Sequence, residues 1–370
     1  VNAGSRGERA ANANFNYRKN GFALNVNGGA SQNTFKGSGY SIRQNFLKDS
    51  TNFFNSTSQF KNQSTRPNFR INADYDLNKQ HSLNAVVQWN NNNFENRSGN
   101  EYQNINRKSE LYKLNQRSVQ SGGNNSNWSG SLTYTWRTSK PGEVLRIITS
   151  ANGGHNENNR YFFQQFFHPD RTPTGVDSTQ QQFNDNKNQN YTARINYDLP
   201  LKQKTTFLSL GSVQQLSVSN ILVDASYTRK SDGAQVPQTG LSNHFRFQQY
   251  YSNYRASIKQ VVNKGFSFTA GMAAEATNFE FDLYKNDSSA QNRYWSFLPF
   301  ANINKKWEDV LSITASYRRT IRRPGINELN PTRDESDPYN IRFGNPELRP
   351  SLAHNYDLVF GKNKTGFYTN

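Results

Sequence analysis

The chain has no cysteine and a single methionine, Met272. Without cysteine it has no disulfide framework and no thiolate metal site. No run of 18 apolar residues occurs, which excludes a transmembrane helix. A membrane barrel is not excluded, because its signal is alternation and not bulk hydropathy. The sequence starts at Val1 with no methionine and no apolar leader, the mark of a processed or excised segment. Hydrophobic residues are also scarce, at 33%, and the mean hydropathy is -0.95. Such polarity by itself points to disorder. The 26 Phe and 19 Tyr argue the other way. Aromatics set among Asn, Gln, Ser and Thr suit strands that are apolar on one face only.

Signatures of chemistry are equally sparse. The five histidines (His81, His155, His168, His244 and His354) form no His-Glu-x-x-His, and neither a phosphate-binding Gly-x-x-x-x-Gly-Lys nor a Gly-x-Ser-x-Gly elbow occurs. His155, and His168 with Asp170, are the histidines to consider for a hydrolase on surface loops; a solvated loop histidine is the simpler reading. Asp334-Glu335-Ser336-Asp337 supplies oxygens for Ca²⁺ without EF-hand spacing, and reads as a solvated acidic loop. No catalytic residue, metal ligand or cofactor is assigned, and the chain is expected not to be an enzyme. The net charge of +17 comes from scattered residues, read as solvated loops and turns. No aromatic–basic RNA-binding signature accompanies it, so nucleic acid is not an expected partner.

What the sequence does have is period-two alternation. Phe69, Ile71, Ala73, Tyr75 and Leu77 share one face, opposite Arg70, Asn72, Asp74 and Asp76. After a turn at Asn78–His81, Leu83, Ala85, Val87 and Trp89 lie opposite Asn84, Gln88 and Asn90, which completes a hairpin. The pattern recurs with Trp128 to Trp136, Leu145 to Ala151, Tyr191 to Leu199, Tyr254 to Ile258, Phe266 to Ala274, Phe297 to Ile303, Leu311 to Tyr317 and Tyr356 to Phe360. Tight turns fall near Lys19, Lys79, Lys140, Lys202, Lys264, Lys306 and Lys364, spaced 60, 61, 62, 62, 42 and 58 residues. Between them lie polar stretches expected to be long loops: Ser31–Ser64, Asn92–Asn127, Asn156–Gln189, Ser219–Asn243, Tyr284–Gln291 and Arg323–Pro350.

Short turns at one end and long loops at the other mark an outer-membrane barrel with periplasmic turns. Strands of about ten residues, at about 3.3 Å each and tilted about 45°, reach about 23 Å, which matches the apolar band of such barrels. Inside a bilayer only a closed sheet satisfies every backbone polar group. Tyr17, Phe22, Tyr75, Trp136, Tyr197, Phe266 and Trp307 cluster where strands meet turns, as an interfacial aromatic girdle does. The expected fold is all-β, a large antiparallel transmembrane β-barrel. About fourteen strands are present, with an earlier one at Val1–Ser5 and further strands expected beyond Asn370. A secreted adhesin built from β-sandwiches is the soluble alternative.

The most specific segment is Tyr317–Gly361. It carries Arg322-Arg323-Pro324, Leu329-Asn330-Pro331, Asp337-Pro338 and Gly344-Asn345-Pro346-Glu347-Leu348-Arg349-Pro350. This resembles the Arg-Pro…Leu-Asn-Pro…Gly-Asn-Pro-x-Leu-x-Pro stretch of the TonB-dependent-receptor-like outer-membrane β-barrel family of Bacteroidota. Leu298-Pro299-Phe300-Ala301-Asn302 and Val1–Asn25 are similar to further parts of that barrel. The resemblance implies about 22 strands, with residues 1–370 as part of the barrel domain. It also implies a plug and an N-terminal β-domain that this chain does not contain.

It implies partners as well: outer-membrane lipid and lipopolysaccharide, a TonB complex reached through the plug, a surface lipoprotein lid, and a small nutrient. The function expected is TonB-dependent uptake of a glycan, peptide or metal chelate. The alternative is a non-transporting barrel that serves as an enzyme or as an envelope assembly or structural component. Arg322, Arg323, Pro324, Asn330, Pro331, Gly344, Asn345 and Pro346 are read as a rigid extracellular loop. Its prolines lie outside paired strands, and its arginines bind loop carbonyls or carboxylates such as Asp334, Glu335 and Asp337. Tyr161, Phe162, Phe163, Phe166 and Phe167, expected on a long polar loop, either pack inward or contact a ligand or partner.

Overall fold

Alternating residues pair into hairpins, and the hairpins join edge to edge into one antiparallel sheet of sixteen strands. The computed structural model describes residues 1–4, 7–46, 51–202, 205–284, 288–307, 311–330, 343–364 and 367–369. In chain order the first strands are β1 (Asn2–Ala3), β2 (Arg9–Lys19), β3 (Phe22–Phe46), β4 (Thr51–Asp76), β5 (His81–Ile105), β6 (Leu111–Arg137), β7 (Val144–Phe167) and β8 (Pro173–Lys202). There follow β9 (Thr206–Thr228), β10 (Gln235–Pro237), β11 (Asn243–Asn263), β12 (Phe266–Leu283), β13 (Ser288–Trp307) and β14 (Leu311–Arg322). A single helical turn, α1 (Ile326–Leu329), precedes β15 (Ser351–Lys364) and β16 (Phe367–Thr369). Each strand neighbours the next in sequence, except that β10 is a short flap on β9 and β11 takes the place beside β9.

The seven expected tight turns fall at junctions between successive strands; those near Lys19, Lys79, Lys140 and Lys264 lie within the described residues, while those near Lys202, Lys306 and Lys364 include residues outside them. The fourteen expected strands are present, β1 is the earlier strand expected at Val1–Ser5, and β10 is additional. Strand length departs from expectation. The stretches read as loops at Ser31–Ser64, Asn92–Asn127, Asn156–Gln189 and Ser219–Asn243 are largely strand, so the hairpins run on well past ten residues. A 25-residue strand such as β3, at about 3.3 Å per residue and about 45° tilt, climbs about 58 Å. Only the lower part of that rise is needed to cross an apolar band of about 25 Å. Pro200, expected to end its strand, lies within β8 opposite Phe207.

The register explains the two faces. From β3 through β7 each adjacent pair keeps one register over nearly its whole length, and the shifts come only at the far tips. Side chains two apart therefore stay on one face from the tight turns upward. One face, here the outer face, displays Phe69, Ile71, Tyr75, Val87, Trp128, Leu132, Ile195, Tyr254, Met272 and Leu358, all exposed. The inner face carries Asn14, Asn25, Asn72, Asn84, Asn90 and Asn127 at similar heights. At the tight-turn end rings gather on the outer face: Tyr17 meets Phe22 at 6.4 Å, Phe22 meets Tyr75 at 6.2 Å, and Lys305 lies over Phe266 and Trp307.

The buried apolar core is small. It consists of Phe245, Phe247, Phe279, Phe281 and Leu329, with Ile221, Tyr294 and Ile326 packed against it. By register these phenylalanines face inward, on the opposite side from Tyr254 and Met272. A sheet with exposed apolar side chains on its outside and so little core cannot be sealed by a second layer of its own.

Candidate functional site

The inner wall is lined with side-chain amides that bond to one another between strands. Asn25 donates to Asn14 at 3.4 Å, Asn84 to Asn72 at 2.9 Å and to Asp74 at 2.7 Å, Asn127 to Asn90 at 3.4 Å, and Asn190 to Asn152 at 3.2 Å. Arg70 donates to Gln88 at 3.3 Å. Amides both donate and accept, so such a wall hydrogen-bonds polar solutes of either sense while adding little charge.

Along the upper halves of β11 to β13 the inner wall carries the buried apolar cluster. Glu275 on β12 is 1% exposed, an expensive place for a lone carboxylate. Arg323 compensates it: its Nε donates to Glu275 Oε1 at 2.8 Å, and its Nη2 closes a second bond to the same oxygen. The guanidinium also lies 4.6 Å from the centre of the Tyr251 ring, a cation–π contact. Directly after Arg323 the chain turns into α1, whose Leu329 and Ile326 cover the four phenylalanines. Glu328 holds that turn, accepting from Gly325 N–H at 2.7 Å and from Arg322 at 3.0 Å.

The returning chain, before β15 begins, locks onto the same turn. Gly344 N–H donates to Asn330 O at 2.7 Å and Asn345 N–H to Glu328 O at 2.8 Å. A Cβ on Gly344 would lie 2.5 Å from Glu328 O and 2.7 Å from Asn330 N, so only glycine permits this approach. Asn292 on β13 donates to Pro346 O at 3.3 Å and ties the segment to the wall. The residues Arg322, Arg323, Pro324, Asn330, Gly344, Asn345 and Pro346 are thereby brought into one folded unit that lies against the inner wall. Pro331, and the carboxylates of Asp334, Glu335 and Asp337 expected to pair with the arginines, lie outside the described residues. The partners observed are Glu275 and Glu328. Sequence reasoning missed Glu275, Tyr251 and Tyr294. A carboxylate within the small-residue run Ala273-Ala274-Glu275-Ala276 was the available signal.

The aromatic segment expected on a polar loop is part of β7, because the hairpin it belongs to stays paired to its tip. Strand geometry divides it. Phe162 and Phe166 face inward, with Arg117 4.6 Å from the first ring and Lys113 5.6 Å from the second. Tyr161 and Phe163 face outward and are exposed. Phe167 pairs with Leu114 at the strand end. Beyond it the turn folds back: Arg171 makes two bonds of 3.1 Å to Glu101 on β5. Those bonds, first among its contacts, hold the Glu101 carboxyl below the ordinary range.

The histidines are dispersed. His155 meets Asp185 at 2.8 Å, and Asp185 also binds Lys187 at 3.1 Å. Asp170 accepts from the Thr172 hydroxyl at 2.6 Å and from its N–H at 2.9 Å, which shapes the turn beside His168. His81 sits 2.6 Å from the Tyr134 hydroxyl, His354 sits 2.9 Å from that of Tyr317, and His244 packs on the Tyr284 ring. Among the described residues no three His, Asp or Glu side chains gather as a metal site.

The fold is similar to that of one known membrane barrel. It superposes on the ferric citrate transporter FecA in its unliganded form with a TM-score of 0.51 at 9% identity. That match covers 96% of this chain and 49% of the transporter, so the chain spans about half of that protein's length. The translocator domain of the autotransporter NalP from Neisseria meningitidis aligns over 82% of the chain with a TM-score of 0.28 at 9% identity. No curated protein matches the sequence. The model of the outer membrane protein beta-barrel family matches residues 136–370, well over half of the sequence, and the chain therefore belongs to that family, in the outer membrane of a Gram-negative cell.

Proposed function

We propose that this chain forms part of the barrel of an outer-membrane receptor that takes up a nutrient, a glycan, peptide or metal chelate, in a TonB-dependent manner. The observation that carries the reading is the breadth and chemistry of the inner wall. Strands in such number, wet and amide-lined on one face, belong to a bore far wider than one packed by its own side chains. The fold likeness to a ferric citrate transporter supports the same class of function. The unit built on Arg323 and Glu275 stiffens the extracellular end of that bore, where a solute would enter. No enzymatic role is proposed: the His155–Asp185 pair is shared with Lys187, and the other histidines serve turns and ring contacts.

Uptake of labelled candidate nutrients by cells with and without the intact gene tests this. The expected result is accumulation that needs the gene and stops when the proton gradient is collapsed. Gene-dependent accumulation that survives collapse of the gradient would refute energised transport.

A further inference from the structure

The inner wall changes character above its amide-lined stretch. Arg43 on β3, Phe54 on β4, Tyr102 on β5, Arg117 on β6 and Phe162 on β7 each lie an even number of residues along the strand from an inner-face asparagine: Asn25, Asn72, Asn84, Asn127 and Asn152 in turn. Strand alternation therefore turns all five into the bore. They are also close across the sheet. Arg43 is the register partner of Phe54, and Tyr102 pairs with Asn115, which pairs with Phe166. Phe54 stacks on Tyr102 at 5.7 Å. Arg43 lies 21 residues above the lower end of β3, and Arg117 lies 20 above that of β6. At about 3.3 Å per residue and about 45° tilt both are about 48 Å up, well clear of an apolar band about 25 Å tall. The row belongs to the mouth of the bore, where a solute arrives.

Charge is sorted between the two faces at this height. The strand carboxylates Glu95, Glu101, Glu157, Asp177 and Asp185 all fall on outward positions. There Glu95 meets Arg97, Glu101 meets Arg171, Asp177 meets Lys230 and Asp185 meets Lys187. Arg43, Lys113, Arg117 and Arg160 fall on inward positions, and none of them has a carboxylate partner among the described residues. Aromatic rings hold three of them instead. Arg43 lies 5.0 Å from the centre of the Phe54 ring, Arg117 4.6 Å from that of Phe162, and Lys113 5.6 Å from that of Phe166. A ring face attracts a cation without neutralising it and without taking its N–H groups. A carboxylate would do both. In Arg117 the consequence is visible: its Nε is shielded from solvent and has no hydrogen-bond partner among the described residues. Such a donor is costly to leave bare, and an incoming anion satisfies it.

Spacing and surroundings describe that anion. Arg43 and Arg117 stand three strands apart, which at about 4.8 Å per strand is about 14 Å. One compact chelate does not reach both, whereas an elongated ligand with repeated charges does. Beside Arg117 the wall offers side-chain amides, with Gln164 donating to Asn115 at 3.0 Å, and amides suit hydroxyl groups. The backbone of β4 to β7 is paired on both sides, so no strand edge is open there for an extended peptide to join.

We propose, resting on the receptor reading above, that this wall binds an acidic oligosaccharide at the mouth of the bore. Carboxylate or sulfate groups go to Arg43, Lys113 and Arg117, and hydroxyls go to Asn115 and Gln164.

The test uses the full-length protein in detergent micelles. The acid probes are a galacturonate hexamer and sulfated maltohexaose. Their neutral counterparts are the methyl-esterified hexamer and plain maltohexaose, their monomers are galacturonate and glucose 6-sulfate, and the acidic peptide is hexaglutamate. At least one acid hexamer is expected to bind at least tenfold more tightly than its neutral counterpart, its monomer and hexaglutamate. Arg43→Gln with Arg117→Gln is expected to lose at least tenfold toward that acid hexamer and nothing toward the neutral one. Arg97→Gln, which faces outward, is the control expected to change neither. Failure of both acid hexamers to bind, or binding no tighter than that of the neutral hexamers or the monomers, overturns the proposal. Hexaglutamate bound as tightly would mean a site for acidic peptides and overturns it too. The comparison of wild-type ligands decides the matter even where a variant fails to fold. Uptake by cells separates this site from the receptor reading. Energised uptake that is equal for acid and neutral hexamers would leave the receptor standing and overturn the site. Acid-selective binding without energised uptake would support the site and sink the receptor.

Discussion

Arg322 and Arg323 are neighbours in sequence with opposite fates. Arg323 compensates a carboxylate buried to 2% of its side-chain surface, while Arg322 bonds an exposed Glu328. Removal of one partner of a buried pair strands the other charge and costs about 3–5 kcal/mol. Loss of an exposed pair costs about 0–1 kcal/mol. Arg323→Ala is therefore expected to lower stability in detergent by several kcal/mol, and Arg322→Ala by less than one, as measured by urea titration of each variant. Equal losses would show that Glu275 is not buried in the folded barrel. Gly344→Ala tests the same unit from its other side. The added methyl runs into backbone atoms of Glu328 and Asn330, which cannot rotate away. The expected outcome is a loss comparable with that of Arg323→Ala, whereas Gly99→Ala, which points into open space, is expected to be neutral.

At the scale of strands and hairpins, the β7–β8 tip is held by Arg171 to Glu101 across the intervening β6. The Glu101 carboxyl titrates lower in the folded chain than in the unfolded one, chiefly through its bonds with Arg171. A depressed folded value means that the tether contributes fully above the unfolded carboxylate range and is lost as pH falls through the lower folded value. Hydrogen-exchange protection over residues 167–173, relative to the intrinsic rate at each pH, is expected to be high at neutral pH and to fall in acid, and in Glu101→Gln it is expected to be low at both. Acid-independent protection in the wild type would remove the tether from the account.

The same hairpins show where the sequence was legible. Through the belt one face meets lipid and the other meets water, so Phe69, Ile71 and Tyr75 alternate visibly with Arg70, Asn72 and Asp74. Above the belt both faces are wet. In Asn90-Asn91-Asn92-Asn93, or Asn156-Glu157-Asn158-Asn159, the pattern that signals a strand has no reason to exist, and the chain reads as loop although its ladder continues. The candidate unit was half legible for a related reason. Its Pro, Gly and Arg spacing stands out in one stretch, but Glu275 lies 48 residues earlier and joins it only when the chain folds back on the wall.

For the whole molecule, the assignment of two faces to two solvents carries everything else. Leu132 on β6 projects outward, 48% exposed, and lies five residues above the end of the strand at Arg137. At about 3.3 Å per residue and about 45° tilt that is about 12 Å up, near the middle of a band about 25 Å tall. Its neighbour Ser131 projects the other way, into the bore. Arginine at a lipid-facing midplane position costs about 2–4 kcal/mol, while arginine in a wet lumen keeps its hydration. Leu132→Arg is expected to weaken reversible folding into lipid vesicles by that amount, and Ser131→Arg by less than one kcal/mol. The two sites share a strand, a height and a hydrogen-bonded register, so local strand propensity cannot separate them and only the medium on each side can. If Ser131→Arg proved as harmful as Leu132→Arg, the inner face would have to be sealed against something dry, and a water-filled bore would be untenable.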